Sequence, residues 1–528
     1  MNGGDALIKT LEDAGVEVCF TNPGTSEMHM VGALDASSKM RPILVLFEGV
    51  ASGAADGYAR MAEKPAATLL HLGPGLANAM ANLHNARRAF SPVINIIGDH
   101  AVDHIKFDTP LTSDVKAYAS ACSHFTHNSR SSEKIAEDAA KVAAAAMSKR
   151  GQISTLIAHA DHTWGPASGS APLPAIEAAE IPGSQTINMV ANILKDKGGK
   201  AILLVSGNGL YGEGLEAVGR IFKATGVRSV AESFPARMER GAGTVPLQRM
   251  PYFPEDIRAF LEGSETLILV GGKTPTSFFS YEGQESICVP DGIEVITLAA
   301  EEEDIKGSLK ALADALGASE PLSELTPAQT IPPQSGKLTL MGIASTVNRH
   351  LPENAIVSDE SCTSGAALYP ATTGAAKHSW LTLTGGSIGQ GLPLAVGAAV
   401  ARPDQKVVCL HGDGGAMYTL QALWTQAREK LDVVTVIFAN RRYCILEIEA
   451  MRTGIAEGAS PDIGAMTELS NPDLDWVALA TGMGVSATKA ETAEEFEAQF
   501  EAAIAGKGPY LIEAVIDPVS GGVDWASD

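Results

Sequence analysis

Positive charge is scarce in this chain: 39 Lys and Arg stand against 62 Asp and Glu, a formal charge of −23 over 528 residues. Binding a nucleic-acid backbone needs clustered cations, so this balance argues against a nucleic-acid partner. Cysteine is scarce too. The six cysteines (Cys19, Cys122, Cys288, Cys362, Cys409, Cys444) form no C-x-x-C pair and mostly sit in apolar runs, as reduced core residues of a cytoplasmic protein do. No run of 18 apolar residues occurs, so no membrane span is expected. The N-terminal stretch is an amphipathic helix without the apolar core of a secretory signal, and Asp524–Asp528 carry no targeting address. Short repeats and low-complexity tracts are missing as well. What is present, 45% hydrophobic and 19% charged residues, is a globular composition. The length suggests about three domains.

The most informative stretch runs from Lys406 to Tyr443. It reads as a buried strand (Val407–Leu410), a glycine loop (His411-Gly412-Asp413-Gly414-Gly415), a helix (Thr419–Glu429) and a second apolar strand ending near Asn440. That is the repeating unit of a parallel sheet, in which ligands sit at the carboxyl ends of strands. Asp413 and Asn440 lie at two such ends, 27 positions apart in number and expected to be adjacent in space. Glycine lets backbone N–H groups approach a phosphate, and the Asp and Asn oxygens suit Mg²⁺ or Ca²⁺ bridging to a diphosphate. A strand–helix–strand unit with a glycine turn and no ligand fits the same pattern.

The GDG triplet followed by Asn440 resembles the cofactor motif of the thiamine diphosphate (ThDP)-dependent 2-oxo-acid decarboxylases and carboligases. The chain is similar to acetolactate synthase large subunits and also to benzoylformate decarboxylases. The resemblance implies that Asp413 and Asn440 bind Mg²⁺ through their side chains, Arg442 through its backbone carbonyl, and that Gly414 and Gly415 border the diphosphate. Ala439 stands where relatives carry a first asparagine.

Alternating strands and helices over the first part of the chain imply a doubly wound α/β sheet. Strand Ile43–Phe47 is closed by Glu48 and followed by a helix; helices are expected at Gly53–Met61 and Ala77–Ala89, the latter after the turn His71–Gly75. An acid at a helix start also serves simply as a favourable terminal charge. By resemblance, Glu48 is the glutamate that hydrogen-bonds N1′ of the aminopyrimidine and favours the imino form that removes the C2 proton. Thr25 and His71 match the Ser and His that face the cofactor in benzoylformate decarboxylase, and Phe278 and Phe279 stand near its second catalytic histidine. His100, with His104 and Lys106, borders the expected substrate pocket; no third zinc ligand accompanies the two histidines.

Two rival motifs remain. Gly207-x-Gly209-x-x-Gly212 follows a strand and opens a helix, with Glu232 further on, which spells a dinucleotide fingerprint and an NAD- or FAD-linked oxidoreductase. The family's middle domain holds FAD in some members, ADP in others and neither in the rest. Gly385-Gly386-Ser387-Ile388-Gly389 spells G-x-S-x-G, a serine hydrolase elbow. In the family register the Gly386 carbonyl instead accepts from the 4′-amino group, Ile388 holds the two cofactor rings folded together, and Cys362 lies beside the diphosphate. Ile445 and Glu449, on one helix face after Asn440, would shape the substrate pocket.

The expected architecture is α/β with three doubly wound parallel-sheet domains: pyrimidine-binding (1–165), a Rossmann-like middle (184–325) and diphosphate-binding (338–520), joined by Pro/Gly/Ser-rich linkers. The implied activity is decarboxylation or carboligation of 2-oxo acids, with benzoylformate decarboxylase-like chemistry, a nucleotide oxidoreductase and a non-catalytic paralogue as alternatives. Active sites of the family form between subunits, implying a homodimer or homotetramer.

Overall fold

The computed structural model describes residues 1–455 and 461–518. Asp524–Asp528, and the last two residues of the expected third domain, lie outside them. The chain builds three α/β sheets.

The first sheet contains β1 (Val18–Asn22), β2 (Arg41–Leu44), β3 (Ala66–His71), β4 (Val93–Asp99), β5 (Phe125–Asn128) and β6 (Ile153–His159). Its order is β2-β1-β3-β4-β6-β5, every pair parallel. Strands covered on both faces should be apolar throughout, and β4 and β6 are buried along their whole length. The order reverses between β1 and β3, so their carboxyl ends open a crevice.

The middle stretch supplies β7 (Ala201–Val205), β8 (Arg228–Ala231), β9 (Met238–Arg240), β10 (Gln248–Arg249), β11 (Thr266–Val270) and β12 (Glu294–Ala299). Five of them form a parallel sheet, β10-β8-β7-β11-β12. The exception is β9, which lies within the range expected for the middle domain but pairs antiparallel with the edge of the third sheet. There the Arg240 guanidinium lies 3.6 Å from the Tyr369 ring centre, and the added strand covers what would be an open edge.

The third sheet comprises β13 (Ala355–Glu360), β14 (His378–Thr382), β15 (Val407–Gly412), β16 (Val433–Ala439), β17 (Ser486–Ala490) and β18 (Tyr510–Val515), in the order β17-β18-β16-β15-β13-β14-β9. Its order reverses between β13 and β15, where Glu360 and His411 are register partners. The largest fully buried side chains include Trp380, Trp476 and Phe438, all in this part of the chain.

First and third parts are locked together by two helices, Glu48–Ala62 and Gly391–Ala401. A side chain at Gly57 would strike the Leu394 carbonyl, and one at Gly397 the Ala54 carbonyl, so the backbones touch where only glycine fits. Among the described residues, no helix is long and apolar enough to cross a membrane.

Candidate active site

Glu48 is the first residue of its helix rather than the last of a strand; β2 stops at Leu44, and Phe47 is the extended N-cap. Parallel pairing to β1 runs out opposite Thr21, which frees the next residues to turn. The Glu48 carboxylate is buried and held by two amides: Asn22 Nδ2 donates to Oε1 at 3.3 Å and Asn78 Nδ2 to Oε2 at 3.0 Å. These partners come from the end of β1 and from the helix after β3, so Glu48 stands at the crevice where the first sheet reverses.

His71 ends β3 and caps the helix Leu72–Arg88. That helix begins five residues before the expected start, because Pro74 falls in the first turn, where its missing N–H costs nothing. His71 Nδ1 lies 2.9 Å and 3.1 Å from the two carboxylate oxygens of Glu27, a fully buried residue at the end of the turn Thr25–Glu27. Glu27 also accepts from the Gly24 N–H at 2.7 Å and from the Ser26 hydroxyl. The hydroxyl set against His71 belongs to Ser26, at 3.3 Å, and not to Thr25, which is exposed. A one-residue step in a tight 3-10 turn carries the side chain to another face.

In the third sheet Asp413 and Asn440 meet as their spacing predicts. Asp413 Oδ2 accepts from the Arg441 N–H at 2.7 Å and Oδ1 from the Gly414 N–H at 2.8 Å, tying the end of β15 to the end of β16. Asn440 Oδ1 accepts from the Arg442 N–H at 2.9 Å, and its Nδ2 donates to Ser364 Oγ at 3.3 Å. The Asp413 carboxyl is pushed up to about 6 because burial strips its solvation. A buried carboxylate bound directly by backbone N–H groups, with the Arg441 charge a smaller influence, is a place where a cation would be stabilised. Among the described residues no group of three or more His, Cys, Asp or Glu is arranged for a metal, so any ion here would rely on Asp413, Asn440 and oxygens from backbone or ligand. Gly414 lies against the Tyr443 ring, and Gly415 faces Glu360 and His411. Cys362, exposed and with φ +51°, opens the turn Cys362–Gly365 next to Ser364.

The segment Gly385–Gly389 is held by the first domain. Asn85 donates through Nδ2 to the Ser387 carbonyl at 2.8 Å and accepts from the Ser387 N–H at 3.2 Å; His84 Nε2 is 3.0 Å from the Gly385 carbonyl. Gly386 has φ +74°, and Phe278 lies where its side chain would be, at 2.7 Å. Ile388 is half-buried. Among the described residues no histidine hydrogen-bonds the Ser387 hydroxyl, so the elbow lacks a general base.

His100 sits past the end of β4, its Nε2 3.4 Å from the Thr109 hydroxyl and its ring 5.6 Å from that of His104. Glu449 accepts from the Tyr281 hydroxyl at 3.0 Å and lies 4.0 Å from Arg452, so its carboxylate is engaged with the middle stretch. Ile445, one turn earlier on the same helix, is half-buried.

The dinucleotide fingerprint forms its turn, Gly207–Leu210, but the chain fills it. Glu232 accepts from the Gly207 N–H at 3.4 Å, and the Arg150 guanidinium occupies the space beside Gly207 while stacking on Phe90 at 4.4 Å. The N–H that would receive a pyrophosphate is thus taken by an internal carboxylate. These residues do not fit FAD or ADP as they stand.

Residues 1–129 match the N-terminal TPP-binding domain of thiamine pyrophosphate enzymes, and residues 361–514 their C-terminal TPP-binding domain. The chain belongs to this family of thiamine diphosphate-dependent enzymes. It is 48% identical to a Mycobacterium tuberculosis protein provisionally named acetolactate synthase large subunit IlvX, over 99% of this chain and 100% of that one. It is 25% identical to the benzoylformate decarboxylase of Pseudomonas aeruginosa, over 96% of this chain and 97% of that one. Its fold is similar to that of a thiamine diphosphate-dependent 4-hydroxybenzoylformate decarboxylase from Rhodococcus jostii RHA1, with a TM-score of 0.85 at 22% identity, covering 98% of this chain and 99% of that chain.

Glu27, Ser26, Asn78 and Asn85 were not evident from the sequence as site residues. The proximity of Glu27 to Thr25 was the available signal, but helix starts use acids so often that it carries little weight.

Proposed function

We propose that this enzyme decarboxylates 2-oxo acids, or joins the resulting fragment to a second carbonyl, with ThDP and Mg²⁺, in the manner of acetolactate synthases. The observation that carries the proposal is the pair of half-sites at the two sheet reversals: Glu48 held between Asn22 and Asn78, and Asp413 joined to Arg441 beside Asn440. ThDP supplies an electron sink for the bond next to the keto carbon. Asp413, Asn440 and the Arg442 carbonyl would bind Mg²⁺, and Gly414, Gly415 and the turn at Cys362 would border the diphosphate. Glu48 would hydrogen-bond N1′, the Gly386 carbonyl would accept from the 4′-amino group, and Ile388 would support the rings. His71, held by Glu27 and flanked by Ser26, moves a proton at the substrate-derived carbon. His100, Ile445 and Glu449 border the substrate space. Glu48 of one subunit serves the Asp413 site of another, in a homodimer or homotetramer. The six cysteines form no disulfide and five of them are buried, which supports a cytoplasmic location.

A benzoylformate decarboxylase-like activity is the second proposal, favoured by the Ser26–His71 contact. The test is a panel of 2-oxo acids, pyruvate and benzoylformate included, with added ThDP and Mg²⁺, scored for CO₂ and for ketol products. Ketol from pyruvate supports the first activity, and aldehyde from benzoylformate the second. Neither product, in a protein that retains ThDP, would sink both.

A further inference from the structure

The side chain of Glu360, the last residue of β13, is used by none of the roles assigned above, yet it is almost wholly buried at 3% exposure. Its Oε1 accepts from the Gly389 N–H and its Oε2 from the Gly391 N–H, both at 2.6 Å. The ring of His411, its partner across β13 and β15, lies 3.3 Å away through Nε2 and is completely buried. A carboxylate so enclosed is tolerated only because these donors replace water. Both N–H groups belong to the backbone immediately after Ile388. The carbonyl between them is pinned as well, since Gly389 O accepts from Thr419 Oγ1 at 2.8 Å and from Asn82 Nδ2 at 3.3 Å. On the other side of Ile388 both polar backbone atoms of Ser387 are bound to Asn85. Ile388 therefore projects from a backbone fixed on each side, and Glu360 is the charged side chain that binds that backbone directly after it.

We propose that Glu360 is a positioning residue: its carboxylate fixes the peptide units after Ile388, so that the isoleucine is presented to the cofactor in one orientation. This rests on the thiamine assignment of Ile388. Both backbone partners are donors, so the side chain must accept twice. Glutamine would turn an NH₂ toward one of them, and aspartate keeps the charge but is one methylene too short to hold both.

The test uses full-length E360Q and E360D with added ThDP and Mg²⁺. Three quantities are read: amide hydrogen exchange of peptides spanning 385–391 in cofactor-free protein, ThDP affinity, and kcat on a 2-oxo acid turned over by the wild type. Losing one charge-assisted bond should speed exchange in that segment and lower kcat by roughly 10- to 100-fold in E360Q, with a smaller change in E360D. ThDP affinity should fall as well, in the direction expected of Ile388→Ala, because the isoleucine that Glu360 positions supports the folded cofactor. Wild-type exchange in 385–391, or wild-type kcat in the cofactor-loaded variants, overturns the proposal. If E360Q does not fold, E360D alone decides it on the same two readings. A wild type that binds no ThDP would sink the thiamine assignment instead, while the exchange comparison would still show whether Glu360 holds the loop.

Discussion

Arg60 and Asp56 form a buried ion pair at a point where all three parts of the chain meet. Arg60 Nη2 lies 2.6 Å from Asp56 Oδ2 and Nε 2.8 Å from Oδ1, on successive turns of the Glu48–Ala62 helix. The guanidinium also donates to the Ala236 carbonyl at 3.2 Å, the Thr382 carbonyl at 2.9 Å and the Thr384 hydroxyl at 3.0 Å. Asp56 in turn accepts from Gln390 Nε2 at 2.6 Å. The helix that begins at Glu48 is thereby fixed against the segment that carries Gly386 and Ile388. Removing one member strands the other charge without water, at a cost of about 3–5 kcal/mol. Arg60→Met should therefore lower the urea midpoint markedly. The double variant Arg60→Met/Asp56→Leu should recover a good part of the loss. A single variant as stable as the wild type would show the pair to be dispensable.

The Glu27–His71 contact holds Nδ1 of the imidazole at a buried carboxylate, which fixes the orientation of the ring and leaves Nε2 out of that contact. Glu27→Gln removes the charge that favours this orientation, an effect of about 1.5–3 kcal/mol for a charge-assisted bond. The expected outcome is a roughly 10- to 100-fold lower kcat on a 2-oxo acid, with ThDP affinity unchanged because neither residue faces the diphosphate. Equal kcat in variant and wild type would remove Glu27 from the chemistry.

Glu48→Gln keeps the side-chain volume and one acceptor oxygen, and Asn22 and Asn78 remain to hold it. ThDP should still bind, while turnover should fall by about 100-fold or more, since the group meant to sustain the cofactor's internal base is now neutral. Near-wild-type turnover would reject this role.

The legible parts of the molecule were those written in local pattern. The Val407–Asn440 unit could be read because apolar strands, a glycine turn and hard oxygen donors follow one another within a single crossover. Glu48 could be placed between a strand and a helix for the same reason, although the helix begins at Glu48 itself and not at Gly53. Parts that depend on distant pairing were not legible. The three residues of β9 look like middle-domain sequence, and only the open edge beside β14 explains where they go. Glu360 reads as one more acid in a polar loop until Gly389 and Gly391 are brought to it. Thr25 matches the family's serine by position, but the side-chain directions in a 3-10 turn change with each residue, and it is Ser26 that lies against His71. The GNGLYG turn misled in the opposite way: its local pattern is complete, and only Arg150, from another domain, shows that it is filled.

Ile388 is half-buried, with its neighbouring backbone held by Asn85 and Glu360. Ile388→Ala removes a side chain without disturbing those bonds. If the isoleucine supports the folded cofactor, kcat and ThDP affinity should both drop, kcat by about tenfold or more, with a stability loss at the low end of the usual 2–5 kcal/mol for such truncations because the site is partly open. Unaltered kcat and ThDP affinity would reduce Ile388 to a packing residue.

Glu232 offers a pH test of the filled nucleotide crevice. Loss of solvation pushes its carboxyl up to about 7, with the Arg150 charge opposing the shift. In the unfolded chain the group would titrate near the ordinary glutamate value of about 4.3. A folded value above the unfolded one means stability that is complete at low pH and is lost as pH rises toward about 7. Between pH 5 and pH 8 the wild type should therefore lose about 1–3 kcal/mol relative to Glu232→Gln, the upper figure being reduced by the solvent contact Glu232 retains. Parallel stability curves for the two proteins would contradict this. The same carboxylate occupies the Gly207 N–H, so a nucleotide would have to displace it. A ligand at about 100 times its Kd stabilises the folded state by about 2.7 kcal/mol. FAD or ADP added to the wild type at millimolar concentration should leave the melting temperature where it was. A rise of several degrees would mean that Arg150 and Glu232 open to admit the nucleotide.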